Sequence, residues 1–241
     1  MAALTTVCMA TYNGEHHVAA QLASILQSPR VDEVLVSDDG STDRTREIVR
    51  GFADPRVHLL DGPRAGVIRN FESLLGSARG DYIFLADQDD VWLPHKVDTM
   101  LAALQSADLV VSDCVVVDDQ LHVLQPSFQA LRHSGPGLLK NLVHNGYLGC
   151  CMAFRRHVLD RALPFPRQVP MHDWWIGLVA ECGGTVRFLQ EPLLQYRRHG
   201  GNASSTSEPS TATVARQITW RLSLTAHILW RCVVPAPHRH G

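Results

Sequence analysis

Between residues 4 and 112 the chain repeats one unit: a short apolar run, a turn rich in Asn, Asp, Gly or Ser, then apolar residues at helical spacing. Residues 4–9, 33–37, 57–60, 81–85 and 109–112 read as strands, and residues 16–27, 43–52, 67–75 and 93–105 as helices. Short apolar strands separated by helices of about ten residues cannot be joined by hairpins. They require a largely parallel sheet whose two faces are both covered by helices. The expected fold class is therefore α/β, with a mostly parallel, doubly wound sheet.

Beyond residue 113 the pattern loosens, with an apolar run at 115–117, a Gly/Pro/Ser stretch near Gly135 and a strand expected over 147–154. Residues 204–213 are small and polar and read as a linker, followed by a helix and tail over 214–241. The expected division is thus a domain of residues 1–203, with a regular half of about 1–113 and a looser half of about 114–203.

In an open parallel sheet, ligands bind beyond the carboxyl ends of the strands. The first strand is followed by Thr11-Tyr12-Asn13-Gly14, the second by Asp38-Asp39-Gly40-Ser41 and the fourth by Asp87-Gln88-Asp89-Asp90. Each cluster alone has a structural reading as a turn or helix cap. Five carboxylates at one edge, however, repel unless a proton or a cation holds them. A divalent ion with hard oxygen ligands, Mg²⁺ or Mn²⁺, resolves that repulsion and binds phosphate oxygens, so a phosphate ester is the expected substrate. The phosphate cradles of P-loop enzymes and dinucleotide dehydrogenases have no counterpart in the sequence.

Five motifs occur in order: residues 10–14 (ATYNG), 36–43 (VSDDGSTD), 86–92 (ADQDDVW), 172–175 (HDWW) and 196–202 (YRRHGGN). Together they resemble family 2 glycosyltransferases, and among these the bacterial rhamnosyltransferase-like members that build surface polysaccharide. The resemblance covers about residues 4–202. It implies the GT-A fold, an inverting reaction, a divalent cation (Mg²⁺ or Mn²⁺) and a nucleoside-diphosphate sugar donor, with dTDP-rhamnose as one choice. The acceptor it implies is a saccharide or lipid-linked saccharide.

Carried over by position, the resemblance gives Thr11, Tyr12, Asn13, Asp38, Asp39, Asp87 and Gln88 to the nucleotide sugar. Tyr12 lies against a pyrimidine ring and Asp39 accepts the pyrimidine N3–H. Asp87 and Asp89 form the Asp-x-Asp motif, with Asp89, Asp87 and His199 as metal ligands. Asp173 is the implied base that takes the acceptor hydroxyl's proton; it also reads as a helix cap. Trp174, Trp175 and Gly149 fall to the acceptor, one tryptophan as a sugar platform and the other as core. The string Gln217-Ile218-Thr219-Trp220-Arg221 reverses the last two residues of the motif of processive synthases, so transfer of a single sugar is expected.

Two other readings stand beside this one. A nucleotidyltransferase would also pair Asp-x-Asp with a metal, but it would carry a Gly-rich basic loop after the first strand. An inactive carbohydrate-binding relative would not need Asp39, Asp87, Asp89, Asp173 and His199 all intact. A net charge of -2, from 22 Lys+Arg against 24 Asp+Glu, leaves no basic footprint for nucleic acid. The six cysteines show no metal-finger spacing and read as buried reduced thiols. The first ten residues lack a basic region ahead of an apolar one, so a cytoplasmic location is expected. Over 214–233, Ile218, Leu222, Ala226, Leu229 and Val233 recur at helical spacing. The expected helix either docks peripherally on the inner face of a membrane or on a partner, or covers its own domain.

Overall fold

The strands expected from the apolar runs pair into one curved sheet that carries the site along the carboxyl ends of its parallel half. The computed structural model describes residues 3–198 and 214–233, with side chains of the last helix described for residues 218–231. In chain order the elements are β1 (Thr5–Thr11), α1 (Val18–Leu26), β2 (Glu33–Asp38), α2 (Thr45–Arg50), β3 (Val57–Asp61), α3 (Val67–Ser77), β4 (Tyr82–Asp87), β5 (Val91–Trp92) and α4 (Lys96–Ala103). They continue with β6 (Leu109–Val117), β7 (Val123–Gln125), α5 (Phe128–Arg132), α6 (Leu138–Val143), a 3-10 turn (Gly149–Cys151), β8 (Met152–Arg155), α7 (Arg156–Ala162), α8 (His172–Glu181), β9 (Val186–Arg197) and α9 (Val214–Val233).

The strand order is β3-β2-β1-β4-β8-β6-β9-β5, with β7 paired to β6. β3, β2, β1 and β4 are parallel neighbours, and β6 pairs β9 in parallel; β8 is antiparallel to both β4 and β6. Helical crossovers bury both faces, which is why β1 and β4 are near-continuous apolar runs rather than alternating ones. Thr11 lies level with Asp38, and Ala10 with Asp87. The three post-strand motifs therefore emerge together where strand order reverses between β1 and β4.

Two elements depart from expectation for identifiable reasons. Residues 147–154 do not form one strand: the chain turns through Gly149–Cys151 before β8 begins. The Gly149 N–H donates to the Asp173 carboxylate at 3.1 Å, and so is taken by a side chain rather than by a strand ladder. Conversely, the interruption expected at Asp113 is a register shift inside β6, not a break. Its carboxylate accepts from the Ser127 hydroxyl and the Gln129 N–H, anchoring α5 there.

α8 is buried from His172 to Ala180, the behaviour of a helix apolar on every side. α9 covers part of it, with Leu224 and Ile228 buried and Arg231 donating to the Pro164 carbonyl at 2.9 Å. Ile218, Leu222, Leu229 and Trp230 remain exposed. The helix expected over 214–233 thus packs on its own domain through one face and leaves a second apolar face uncovered. The linker expected at 204–213 lies outside the described residues. Cys8, Cys114, Cys150 and Cys151 are free and buried, but Cys182 is disulfide-bonded, a departure from the reading of six reduced thiols. Sequence spacing carries no pairing information when partners meet only through the fold.

Candidate active site

A cleft of about 600 Å³ opens at the carboxyl ends of β1, β2 and β4, inside the range of about 300–1,000 Å³ usual for small-molecule sites. Thr11, Tyr12, Asp39, Asp87, Gln88, Asp89, Gly149 and Asp173 all line it. All eight are residues whose types and positions in the sequence point to the site, and the fold brings them into one space.

One wall is built on Tyr12, a residue 57% exposed. Gln88 holds its backbone at both ends, accepting the Tyr12 N–H at 2.8 Å and donating to the Tyr12 carbonyl at 3.0 Å. Gln88 is thereby a positioning group for the ring. Gly14 makes the clamp sterically feasible, because a Cβ there would lie 2.3 Å from Gln88 Oε1. Opposite, the Asp39 carboxylate accepts from the Ala65 and Gly66 N–H groups at 3.3 and 2.8 Å. Its position is therefore fixed by the loop that opens α3.

Asp38 and Asn13, expected from the resemblance to meet the nucleotide sugar, do not line the cleft and are tied into its framework. Asp38 is buried, accepts from the Gly40 and Ser41 N–H groups and the Ser41 hydroxyl, and pairs with Arg46 at 3.2 Å. Burial alone would raise its pKa, but the Ser41 and Arg46 hydrogen bonds outweigh it and hold the carboxyl below its ordinary value. Asn13 takes a left-handed conformation (φ 49°) and accepts the Thr42 N–H at 2.9 Å, tying the first loop to the second.

The floor is acidic. Burial, then the Asp89 and Asp173 carboxyls, push Asp87 up to about 8. Asp90 lies beneath it, also raised by burial and by Asp89 and Asp87. Its Oδ1 accepts the Arg197 N–H at 3.1 Å, while its buried Oδ2 has no hydrogen-bond partner among the described residues. Asp87, Asp90 and Cys150 each offer a ligand atom, all within 4.8 Å of one another. Burial also drives the Cys150 thiol well up, so it stays protonated and the carboxylate oxygens are the available donors. An orphaned carboxylate oxygen beside a carboxyl that resists ionisation fits a hard divalent cation, which would neutralise both. Asp90 was not nominated as a ligand; His199, which was, lies outside the described residues.

Asp173 stands in the first turn of α8, 5% exposed. Burial raises its carboxyl to about 6, against the opposing hydrogen bonds from the Trp174 and Gly149 N–H groups at 2.6 and 3.1 Å. A carboxylate tuned close to neutrality is suited to taking a proton from a hydroxyl. Trp174 and Trp175 are both core: their indole N–H groups donate to the Asn141 and Ala162 carbonyls, and neither lines the cleft. One of them was expected as a sugar platform; both rings are turned inward, Trp174 8% exposed and Trp175 fully buried.

Arg64, Asn70, His172 and Tyr196 also line the cleft. Of these, His172, beside the expected base, and Tyr196 lie within the quoted motifs, though neither carried an assigned role. Arg64 and Asn70 arrive through the β3–α3 connection and the first turns of α3, where nothing local in the sequence marks a site.

The chain matches the model of glycosyl transferase family 2 over residues 6–163. A glycosyltransferase of Nostoc sp., alr2836, is 28% identical over 234 residues, spanning 87% of this chain and 71% of its own. The dTDP-rhamnosyl transferase RfbG of Shigella flexneri is 26% identical, spanning 80% of this chain and 72% of its own. The glucosyltransferase WfgD of Escherichia coli, named as using UDP-Glc, is 34% identical over 103 residues, 42% of this chain and 41% of its own. The crystal structure of S. aureus TarS 1-349 with UDP-GlcNAc superposes with a TM-score of 0.68 at 18% identity, covering 95% of this chain and 72% of that one. A glucosyl-3-phosphoglycerate synthase from Mycobacterium tuberculosis with Mn²⁺ and UDP superposes at 0.60, also at 18% identity, covering 97% of this chain and 81% of that one. These likenesses show the fold to be GT-A.

Proposed function

This chain belongs to glycosyl transferase family 2, and from that premise we propose that it is a divalent-cation-dependent, inverting transferase that moves one sugar from a nucleoside-diphosphate sugar to a saccharide or lipid-linked saccharide. The observation that carries the reading is the convergence, in one cleft, of the fixed Tyr12–Asp39 pair, the acidic floor and the buried Asp173. In this reading Tyr12 stacks on the base and Asp39, held by two N–H groups, accepts from its edge. Residues 1–113 are the proposed donor half and 114–203 the proposed acceptor half. The names of RfbG and WfgD make dTDP-rhamnose and UDP-glucose the first donors to test.

Asp87 and Asp89, with Asp90 beneath them, would hold Mg²⁺ or Mn²⁺. When bound, the ion supplies Lewis-acid neutralisation of the departing diphosphate. The chain's own groups do the rest. Asp173 hydrogen-bonds the acceptor hydroxyl and takes its proton as the bond to the anomeric carbon forms. A single base acting from the face opposite the leaving group inverts the configuration there. Release of nucleoside diphosphate from a panel of sugar nucleotides tests the proposal. The expected result is turnover with Mn²⁺ that stops in excess EDTA and in Asp89→Ala; full activity in either would refute it.

The uncovered face of α9 supports peripheral contact with a membrane bearing a lipid-linked acceptor. Leu222→Glu with Leu229→Glu should abolish co-sedimentation with anionic vesicles and leave the fold intact. Unchanged co-sedimentation would remove the membrane from the account.

A further inference from the structure

His172 opens α8 immediately before Asp173 and is 4% exposed, yet it lines the cleft. Its ring stacks on Phe71 of α3, with centroids 3.9 Å apart and planes 20° from parallel. Neither ring nitrogen has a hydrogen-bond partner among the described residues. A buried polar ring is normally satisfied, and packing on Phe71 alone would be served as well by an apolar ring. Two unsatisfied nitrogens beside a cleft therefore point to a partner that arrives with a ligand.

The space next to His172 is kept open. A Cβ on Gly149 would lie 3.1 Å from His172 Nε2 and 3.8 Å from Asp173 Oδ2, so a side chain there would crowd both. Burial holds the imidazole far below its usual range, at about 3, and the ring is neutral at physiological pH. A neutral imidazole carries one donor and one acceptor, the complement of a hydroxyl rather than of a phosphate. Its position narrows the source. His172 packs on α3, whose opening loop fixes Asp39, and it lies beside the carboxylate proposed as base. The hydroxyl that meets it belongs to the ring held between diphosphate and base, the transferred sugar.

We infer that His172 is a specificity-determining residue that hydrogen-bonds, through its unpaired ring nitrogens, one hydroxyl of the donor's sugar. The inference rests on the transferase reading above and adds to it the group that recognises the sugar rather than the nucleotide. Calorimetry with Mn²⁺ tests it without any acceptor, using the pairs dTDP and dTDP-rhamnose, and UDP and UDP-glucose. The readout is the ratio of nucleotide Kd to sugar-nucleotide Kd. His172→Phe, which keeps the stack on Phe71, should lower that ratio by about three- to tenfold, the worth of one hydrogen bond, while the Kd of the free nucleotide stays constant. His172→Gln, which keeps a donor and an acceptor, should restore much of it. An unchanged ratio in His172→Phe, or an equal loss for nucleotide and sugar nucleotide, overturns this inference alone. Failure of the wild-type chain to bind any member of a panel of sugar nucleotides spanning the common bases overturns the transferase reading and this inference with it.

Discussion

Replacing Asp173 with Asn separates chemistry from folding, because the two consequences have opposite signs and both can be sized. Raising a buried carboxyl from 3.8 to about 6 corresponds to about 3 kcal/mol, at 1.36 kcal/mol for each tenfold in proton affinity. The folded state binds this proton more tightly than the unfolded chain does. Its stabilising contribution is therefore complete below about pH 3.8 and is lost as pH rises through about 6, so the ionised side chain is a burden at neutral pH. The amide removes that burden. It also puts an NH₂ group against one of two backbone N–H donors, from Gly149 or Trp174, at a cost of about 1–3 kcal/mol. The terms nearly offset, so urea midpoints at pH 7.5 should differ little. Transfer should nevertheless fall by about 10² to 10⁴, the usual contribution of a general base. In the wild type, kcat/KM should decline tenfold per pH unit on an acid limb at or below about pH 6, since only the ionised carboxylate accepts the proton. Asp173→Asn should lack that limb. Release of nucleoside diphosphate from the donor that the wild type uses measures both. A variant transferring at the wild-type rate, or a limb that persists in the variant, would refute the assignment.

Tyr12→Ala should weaken dTDP or UDP binding by about 1–3 kcal/mol, the range for loss of an aromatic stack on a base, read by calorimetry. Gly14→Ala should act in the same direction without touching the ring, because the added Cβ displaces Gln88 from the Tyr12 backbone; wild-type affinity would show the clamp to be dispensable. Asp38→Ala should lower stability by about 1–3 kcal/mol at pH 7 by orphaning Ser41 and Arg46. Because the Asp38 carboxyl lies below its ordinary value, its contribution is present above about pH 3.8 and lost as pH falls through the folded value. Urea midpoints of the variant should accordingly show a flatter decline below pH 4 than those of the wild type.

What was legible in the sequence follows from how local its cause is. The parallel half of the sheet and the order of its helices follow from the periodicity of residues 4–112, since burial on both faces leaves uninterrupted apolar runs. Convergence of Tyr12, Asp39, Asp87 and Asp89 followed from the rule that strand carboxyl ends share one edge, whereas Asp173, on a helix, came only from the family resemblance. Which member of an Asp-Asp pair faces the cleft was not legible. Asp38 turns inward because Ser41 and Arg46 are placed to receive it, and Asp90 because the Arg197 N–H is, 107 residues away. The inward turn of Trp174 and Trp175 likewise depends on the Asn141 and Ala162 carbonyls that accept their indole N–H groups, 33 and 13 residues away. The turn at Gly149 depends on a carboxylate 24 residues later.

The central claim is that a divalent cation and a sugar nucleotide are bound together by the acidic floor of one cleft. Calorimetric titration of dTDP-rhamnose and UDP-glucose into the protein, with Mn²⁺ and then in excess EDTA, tests it most directly. At least one donor is predicted to bind ten or more times more tightly with Mn²⁺, an advantage of about 1.4 kcal/mol or more, and the gain should vanish in Asp89→Ala. Equal affinity with and without the cation, or a full gain in Asp89→Ala, would contradict the account.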